Sequence, residues 1–347
     1  MKNEKNLAKS FTLDVAAVAV FVAIGVQLVL QLILSLFPIP KKALTWTVVI
    51  LNQVIFFAAA FAFCRIKKVD ILAVTGAKQP PKWYYFPLFI LIAVCCVTCF
   101  GPLAGIFSRF LSKLGYDHKA NYFIPFQNGG LFTLAFLALT LLPVLGEEVL
   151  LRGVLLSGAK KRTPVFAVLY TALIFALMHG NLNQIVHQFL LGVVMGYLAY
   201  LTGGIYAAAA VHVTNNAFAL LLDYGFVHSF VDKTFYWYMA GELNVGKSMI
   251  GMGVSLFALI MLLVLVTCLY HRDRSKTKEY QPVVGSVLEG ITAYMIFLST
   301  PTAEAEEQAK AEQKAKGRLS GQELFITVFL PAMLALIVLL TLIPGGK

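Results

Sequence analysis

Charge is what this sequence lacks most. Only 13% of its 347 residues are Asp, Glu, Lys or Arg, whereas 59% are hydrophobic and the mean hydropathy is +0.79. Soluble domains carry about 25% charged residues, so too few charges remain to cover a globule in water. The shortage excludes an ordinary soluble enzyme, a disordered chain and a nucleic-acid binder with a charged surface. It indicates a protein that crosses a membrane several times.

Long apolar runs predict the fold class, an all-α polytopic bundle of about eight to ten transmembrane helices. The short alternating segments of a membrane β-barrel are absent from the sequence. A weaker tenth candidate, Val283–Ser299, is interrupted by Glu289. The nine main predicted spans are Val15–Phe37, Leu44–Cys64, Tyr84–Phe110, Leu131–Leu156, Pro164–His179, Ile185–Leu201, Ile205–Leu222, Ser248–Leu269 and Leu324–Ile343.

The net charge of +11 comes mostly from the loops between these runs. With a cytoplasmic N-terminus, the loops on that side carry 15 Lys and Arg residues, against 7 on the other side. Because basic residues collect in cytoplasmic loops, this asymmetry predicts an N-terminus inside. The first span is too long for a cleaved signal and is expected to stay as a helix.

Several familiar catalytic signatures are also missing. The five cysteines are an odd number in or beside apolar runs, which favours inert, reduced packing residues. The sequence has neither an HExxH zinc motif nor a GxSG-type serine elbow, and Asp223 has no aspartate partner within a span. These absences disfavour the common zinc, serine and aspartyl designs.

The acids that are present inside apolar runs are therefore informative, since each costs at least ~2.5–3.5 kcal/mol on insertion scales. Between Asp117 and Asp223 the only acids are the adjacent Glu147 and Glu148. Arg152 follows Glu148 by four residues, which predicts an ion pair on one helical face. Glu147 lies about 100° around the helix and is expected to be free, near Pro143 and Gly146, which can open or kink the helix.

Two further pairs share a spacing of four residues, Phe175 with His179 and His212 with Asn216. The helical rise puts Glu147, His179, His212 and Asn216 in one broad layer of the bundle, so they can converge. A carboxylate and an imidazole can activate a water molecule, while a second imidazole and an amide stabilise an oxyanion. The set predicts an amide hydrolase within a membrane.

A metal-dependent version of this chemistry is the alternative. Glu147, His179 and His212 could hold zinc. Asparagine is an uncommon zinc ligand and HExxH is absent, so the sequence favours a site without a cofactor.

The three motifs, in this order, resemble those of the CPBP family of intramembrane endopeptidases (CAAX protease and bacteriocin-processing, also called Abi). This family includes the type II CAAX prenyl endopeptidases. Glu147–Arg152 resembles the EExxxR motif, Phe175–His179 the FxxxH motif and His212–Asn216 the HxxxN motif. The similarity covers about Leu131–Leu222.

The resemblance implies a bundle of transmembrane helices and specific roles for the motif residues. Glu147 and His179 would activate water, and His212 and Asn216 would form the oxyanion site. The expected supporting residues are Glu148, Arg152 and Phe175. The chain is then expected to divide into N-terminal transmembrane helices (1–130), a catalytic core (131–222) and C-terminal transmembrane helices (223–347) with a charged linker at 302–320.

We expect the partners to be the lipid bilayer and a membrane-associated peptide or protein substrate, with no nucleic acid. The substrate would be prenylated CaaX-type or related to peptide pheromones or bacteriocins. The expected location is a prokaryotic plasma membrane. A non-proteolytic scaffold or bacteriocin-immunity protein stays open as an alternative, as does a transporter with intramembrane acids. The sequence leaves open the substrate, the cleavage position and the oligomeric state.

Overall fold

The structure is a computed structural model that describes residues 12–116, 129–160, 162–229, 231–274 and 321–340. Throughout these ranges the regular structure is helical, without a β-strand. The predicted all-α class is thereby confirmed. The tenth candidate span and the charged linker at 302–320 lie outside the described residues.

Nine long helical segments occur in the described residues, and each overlaps one of the nine main predicted spans. Shorter helices cover Ile71–Val74, Trp83–Tyr85 and Lys233–Met239. The fourth long segment is a composite of four consecutive parts, Gly129–Phe136, Leu137–Leu141, Val144–Leu155 and Leu156–Ala159. The long segments are α1 (Leu13–Ser35), α2 (Lys41–Ile66), α3 (Phe86–Lys113), α4 (129–159), α5 (Pro164–Met178), α6 (Leu182–Thr202), α7 (Tyr206–Val227), α8 (Val245–Arg274) and α9 (Gly321–Leu340).

Six of the described helical stretches are long and apolar enough to cross a membrane, in α1, α2, α3, α4, α6 and α8. This is fewer than the eight to ten predicted spans, for physical reasons. Helix α5 has 15 residues, or about 22 Å at the helical rise, which is shorter than the ~30 Å hydrocarbon core. Helix α7 carries the polar residues of the third motif. The chain is an integral membrane protein. Its helices α4 and α6 are partly buried against the other helices.

The site-bearing helices α5 and α6 have clear terminal signals. Thr163 caps α5 by accepting a hydrogen bond from the Phe166 amide at 3.3 Å, and Pro164 occupies the first turn. The Asn181 side chain caps α6, which ends at Gly203 with a φ of +75°. That left-handed conformation suits glycine, so α6 stops there and the chain turns into α7.

Helices α5 and α6 pack with their backbones unusually close. A Cβ atom on Gly192 would lie 3.0 Å from the Cα of Ala172 in α5. One turn later, a Cβ on Gly196 would meet the Val168 side chain at 3.4 Å. The two glycines are four residues apart and lie on one face of α6, and the small face that they form lets α6 pack closely against α5.

Loops from several helices meet at the end of the bundle where α1 begins, here called the N-terminal end. A Cβ atom on Gly158, at the end of α4, would lie 2.9 Å from the Thr12 carbonyl oxygen. The Tyr270 hydroxyl of α8 donates to the Thr202 carbonyl at 2.9 Å, joining α8 to the end of α6.

The other end of the bundle, here called the opposite end, is joined by its own contacts. The Ser108 hydroxyl of α3 donates to the side-chain oxygen of Asn183, in the first turn of α6, at 3.0 Å. A Cβ on Gly105 would lie 2.1 Å from the Ala240 carbonyl oxygen, so the segment after the helix Lys233–Met239 packs directly on α3.

We predict that Gly192→Val lowers the free energy of unfolding by about 1–3 kcal/mol, because the added carbons must push α5 away from α6. Thermal unfolding in detergent micelles measures the effect. Gly196→Ala is the control, since its new methyl group meets its neighbours, Val168 and the Thr171 hydroxyl, only at ordinary contact distances of 3.4–3.5 Å. Equal losses for the two variants would contradict the close packing at Gly192.

Candidate functional site

The first motif lies in an unusual helix. Residues Val144–Leu155 of α4 are π-helical over 12 residues, directly after Pro143. Most π-helical segments are single turns and many occur at functional sites. The α-helical rotation of 100° per residue assumed for Glu147 therefore does not apply. The predicted opening near Pro143 and Gly146 takes the form of a wider helix.

The predicted Glu148–Arg152 ion pair is confirmed, and it includes a third residue. The Arg152 Nη1 donates to the Glu148 Oε1 at 2.7 Å, and both side chains are fully buried. The same oxygen accepts a hydrogen bond from the His212 Nδ1 at 2.8 Å. The Arg152 guanidinium also lies over the Phe175 ring, 4.4 Å from its centre. The pair thus connects α4 with α5 and α7.

The sequence suggested that Glu147 is free, but the structure gives it a hydrogen-bond partner. Its Oε1 accepts a hydrogen bond from the Gln53 side-chain amide of α2 at 2.7 Å. Its Oε2 lies 3.9 Å from the His212 Nε2 and has no hydrogen-bond partner among the described residues. The residue is only 9% exposed. One oxygen of a nearly buried carboxylate is thus left to bind something else.

Gln53 is the functional residue that sequence reasoning missed. A Cβ atom on Gly146 would lie 2.8 Å from the Gln53 carbonyl oxygen, so only glycine lets α2 come this close to Glu147. The available signal was the polar pair of Asn52 and Gln53 within an apolar span, where polar side chains are costly. The expected core of 131–222 did not include this helix.

His179 has a fixed orientation at the end of α5. Its Nδ1 lies 2.8 Å from the Phe175 carbonyl oxygen. Because a carbonyl can only accept, the proton is assigned to Nδ1 and the neutral ring keeps an acceptor lone pair on Nε2. The Phe175 ring contacts both histidines nearly edge-on, with centroid distances of 4.8 Å to His179 and 5.6 Å to His212.

Asn216 belongs to a chain of side-chain hydrogen bonds that the motif alone did not indicate. Its Nδ2 donates to the Leu139 carbonyl of α4 at 3.0 Å. Its Oδ1 accepts from the Asn215 Nδ2 at 3.0 Å, and the Asn215 Oδ1 lies 3.1 Å from the His187 Nε2 of α6. Since a side-chain oxygen accepts, His187 donates to Asn215. These hydrogen bonds orient the Asn216 amide, with its nitrogen toward Leu139 and its oxygen toward Asn215.

The site opens into a cavity of about 620 Å³. Glu147, His179 and Asn216 all line it, whereas His212 is buried behind them. The amide side chains of α1 and α2 that face it are Gln27, Gln31, Asn52 and Gln53. The structure thus brings together the four side chains predicted to act, and adds a wall from helices outside the motifs.

The side chains do not fit the zinc alternative as they are arranged. Across the described ranges, no group of three or more His, Cys, Asp or Glu side chains is close enough to hold a metal ion. The His212 Nδ1 is bonded to Glu148, and its Nε2 is 3.9 Å from the Glu147 Oε2, longer than the roughly 3.3 Å that separates two ligands of one tetrahedral zinc ion with bonds of about 2 Å.

The fold and the site define an integral membrane protein with an acid–imidazole site inside its helix bundle. Residues 129–218 match the family model described as type II CAAX prenyl endopeptidase Rce1-like. The matched segment is about a quarter of the chain and contains all three motifs, so the match supports an assignment to the CPBP/CAAX protease family. Neither the curated proteins nor the solved structures include a significant match to the chain.

We predict that Arg152→Met destabilises the protein by about 3–5 kcal/mol, because it leaves the buried Glu148 carboxylate without its cation. Unfolding in detergent micelles measures the loss. The double variant Glu148→Gln/Arg152→Met should lose less than the sum of the two single variants. Exposed Arg65→Met is the control and should stay within about 0.5 kcal/mol of the wild type. If the loss of stability in the double variant equalled the sum of the losses in the two single variants, the buried ion pair would be contradicted.

Proposed function

We propose that this protein is a glutamic-type intramembrane endopeptidase, which hydrolyses peptide bonds of membrane-associated substrates with a water molecule activated by Glu147 and His179. The observation that carries the proposal is the second oxygen of Glu147. It belongs to a nearly buried carboxylate of a residue that lines the cavity, and it lacks a hydrogen-bond partner among the described residues.

Water activation follows from the two cavity-lining groups. Glu147 Oε2 can accept a proton from a bound water, while the amide of Gln53 holds Oε1 in place. The His179 Nε2 lone pair can hold the same water and later carry a proton to the leaving amine. The attacking hydroxide adds to the scissile carbonyl carbon. The C–N bond then breaks as the proton taken up by Glu147 passes, through His179, to the leaving amine, so no covalent nucleophile from the protein is needed.

The tetrahedral intermediate requires donors for its oxyanion. Asn216 has a second amide N–H besides the one that Leu139 accepts. His212 donates from Nε2 when its ring is an imidazolium, since Nδ1 is bonded to Glu148. In that state the charges of Glu147, Glu148, Arg152 and His212 sum to zero, which suits a site shielded from water.

The membrane sidedness of the site follows from the positive charges. We propose that the N-terminal end of the bundle is cytoplasmic, because the loops there concentrate basic residues. The cavity then opens toward the other face, since Thr45, Gly180 and Asp223 line it near the opposite end. The described basic residues of the N-terminal end are Arg65, Lys67, Lys68, Lys78, Lys82, Lys160, Arg162, Arg272 and Arg274.

The substrate class rests on the family. A CAAX-type protease in a bilayer acts on lipid-anchored or membrane-inserted chains, so prenylated CaaX peptides and precursors of peptide pheromones or bacteriocins are the substrates to examine. We propose that none of these reactions requires zinc.

The test is cleavage of a membrane-peptide panel in proteoliposomes. Glu147→Gln should lower the rate at least about 100-fold, because it removes the general base, while insertion and thermal stability persist. Glu242→Gln is the control, since this exposed acid does not line the cavity. A chelator should leave wild-type activity unchanged.

Full activity in Glu147→Gln would overturn the proposed mechanism. Loss of activity on chelation would revive the zinc version. If the wild type cleaves nothing while its biological effect survives Glu147→Gln, the protein acts as a scaffold or immunity protein.

A further inference from the structure

Asp223 is an acid of the cavity that none of the three motifs contains. It is on α7, past the end of the family match at residue 218, and it lines the same cavity as Glu147. Its side chain is exposed at the cavity mouth, and the Tyr236 hydroxyl of the helix Lys233–Met239 donates a hydrogen bond to it. The carboxylate is therefore held in place, with acceptor sites left over.

The distance from Asp223 to the chemistry is defined by α7 itself. Asp223 follows Asn216 by seven residues, which corresponds to about 10.5 Å along the helix axis. An extended peptide advances about 3.3 Å per residue. A substrate whose scissile carbonyl contacts Asn216 would thus bring its third residue from that bond close to Asp223.

The charged side chains that line the cavity are acids. Because Arg152 and His212 balance Glu147 and Glu148 in the proposed mechanism, the excess negative charge of the lining is that of Asp223. Glu147 and Asp223 are acids, and among the described side chains that line the cavity there is no Lys or Arg. The remaining polar lining consists mainly of amides, including Gln27, Gln31 and Asn52, which can bond a peptide backbone in either direction. Such a wall attracts a cation and repels a carboxylate, including the free C-terminus of a short CaaX tail.

We propose that Asp223 is a specificity-determining residue, which binds a cationic group of the substrate about three residues from the scissile bond. This inference rests on the proposed endopeptidase function. Asp223 would select, among membrane-associated peptides, those with a Lys or Arg side chain or an N-terminal ammonium at this position. The contact forms no covalent bond and is an ion pair at a partly desolvated cavity mouth.

The experiment uses the purified full-length chain and a family of apolar peptides that differ in one position. A single Lys is moved along the peptide, and each Lys is replaced in turn by norleucine or Glu, with the N-terminus acetylated or free. Binding is measured on the Glu147→Gln variant, which keeps the cavity charge at Asp223, and cleavage is measured on the wild type.

We expect one Lys position to bind about tenfold more tightly than its norleucine counterpart and the Glu peptide to bind most weakly. Asp223→Asn should abolish this preference without changing the affinity for the norleucine peptide. Asp223→Lys should instead favour the Glu peptide. Glu242→Gln removes an acid close to Tyr236 that does not line the cavity, so it should keep the preference for Lys.

If acetylation weakens the binding of every peptide, whatever the position of Lys, and Asp223→Asn removes this effect, the cationic group is the N-terminal ammonium. If binding ignores peptide charge, or if Asp223→Asn weakens all peptides equally, Asp223 only braces the helix Lys233–Met239 and the inference is wrong. The binding assay does not depend on turnover. Charge-dependent binding without any cleavage would contradict the protease proposal, but it would still support Asp223 as the residue of the cavity that binds a cationic group.

Discussion

The arrangement of the site depends on the contacts of the Glu148 carboxylate. One of its oxygens accepts hydrogen bonds from both Arg152 and His212, which are four and 64 residues away. All three side chains are buried, so each charge is stable only while its partners remain. This requirement fixes α4 against α7 and sets the rotation of the His212 ring. The geometry of the proposed oxyanion site therefore follows from a salt bridge rather than from packing alone.

Phe175 extends this constraint to a third helix. Its ring lies under the Arg152 guanidinium and contacts both His179 and His212, while its carbonyl accepts from the His179 Nδ1. Aromatic rings favour such cation–π and edge-on contacts. An aromatic residue four positions before His179 therefore supports the site through its ring and its backbone at once. Its supporting role belongs to the proposed mechanism and follows from these contacts.

The sequence could predict what depends on hydropathy and on local spacing. Apolar runs indicated the helices, and a separation of four residues indicated the Glu148–Arg152 pair. It could not predict the π-helical register after Pro143, because the same residues fit an α-helix equally well by pattern. It also missed Gln53, since that contact joins residues 94 positions apart and depends on Gly146 letting two backbones approach. Local patterns carry no information about such distant partners.

The division between matched and unmatched segments has a physical meaning. The matched residues 129–218 contain the motif groups proposed for the chemistry. The cavity that a substrate must enter is walled partly by α1 and α2, and Asp223 lies at its mouth beyond the match. Reaction chemistry tolerates few arrangements of acid and imidazole, whereas a cavity wall can vary with the substrate. The family match therefore supports the proposed reaction, and the wall residues, Asp223 above all, are where we propose that substrate choice is determined.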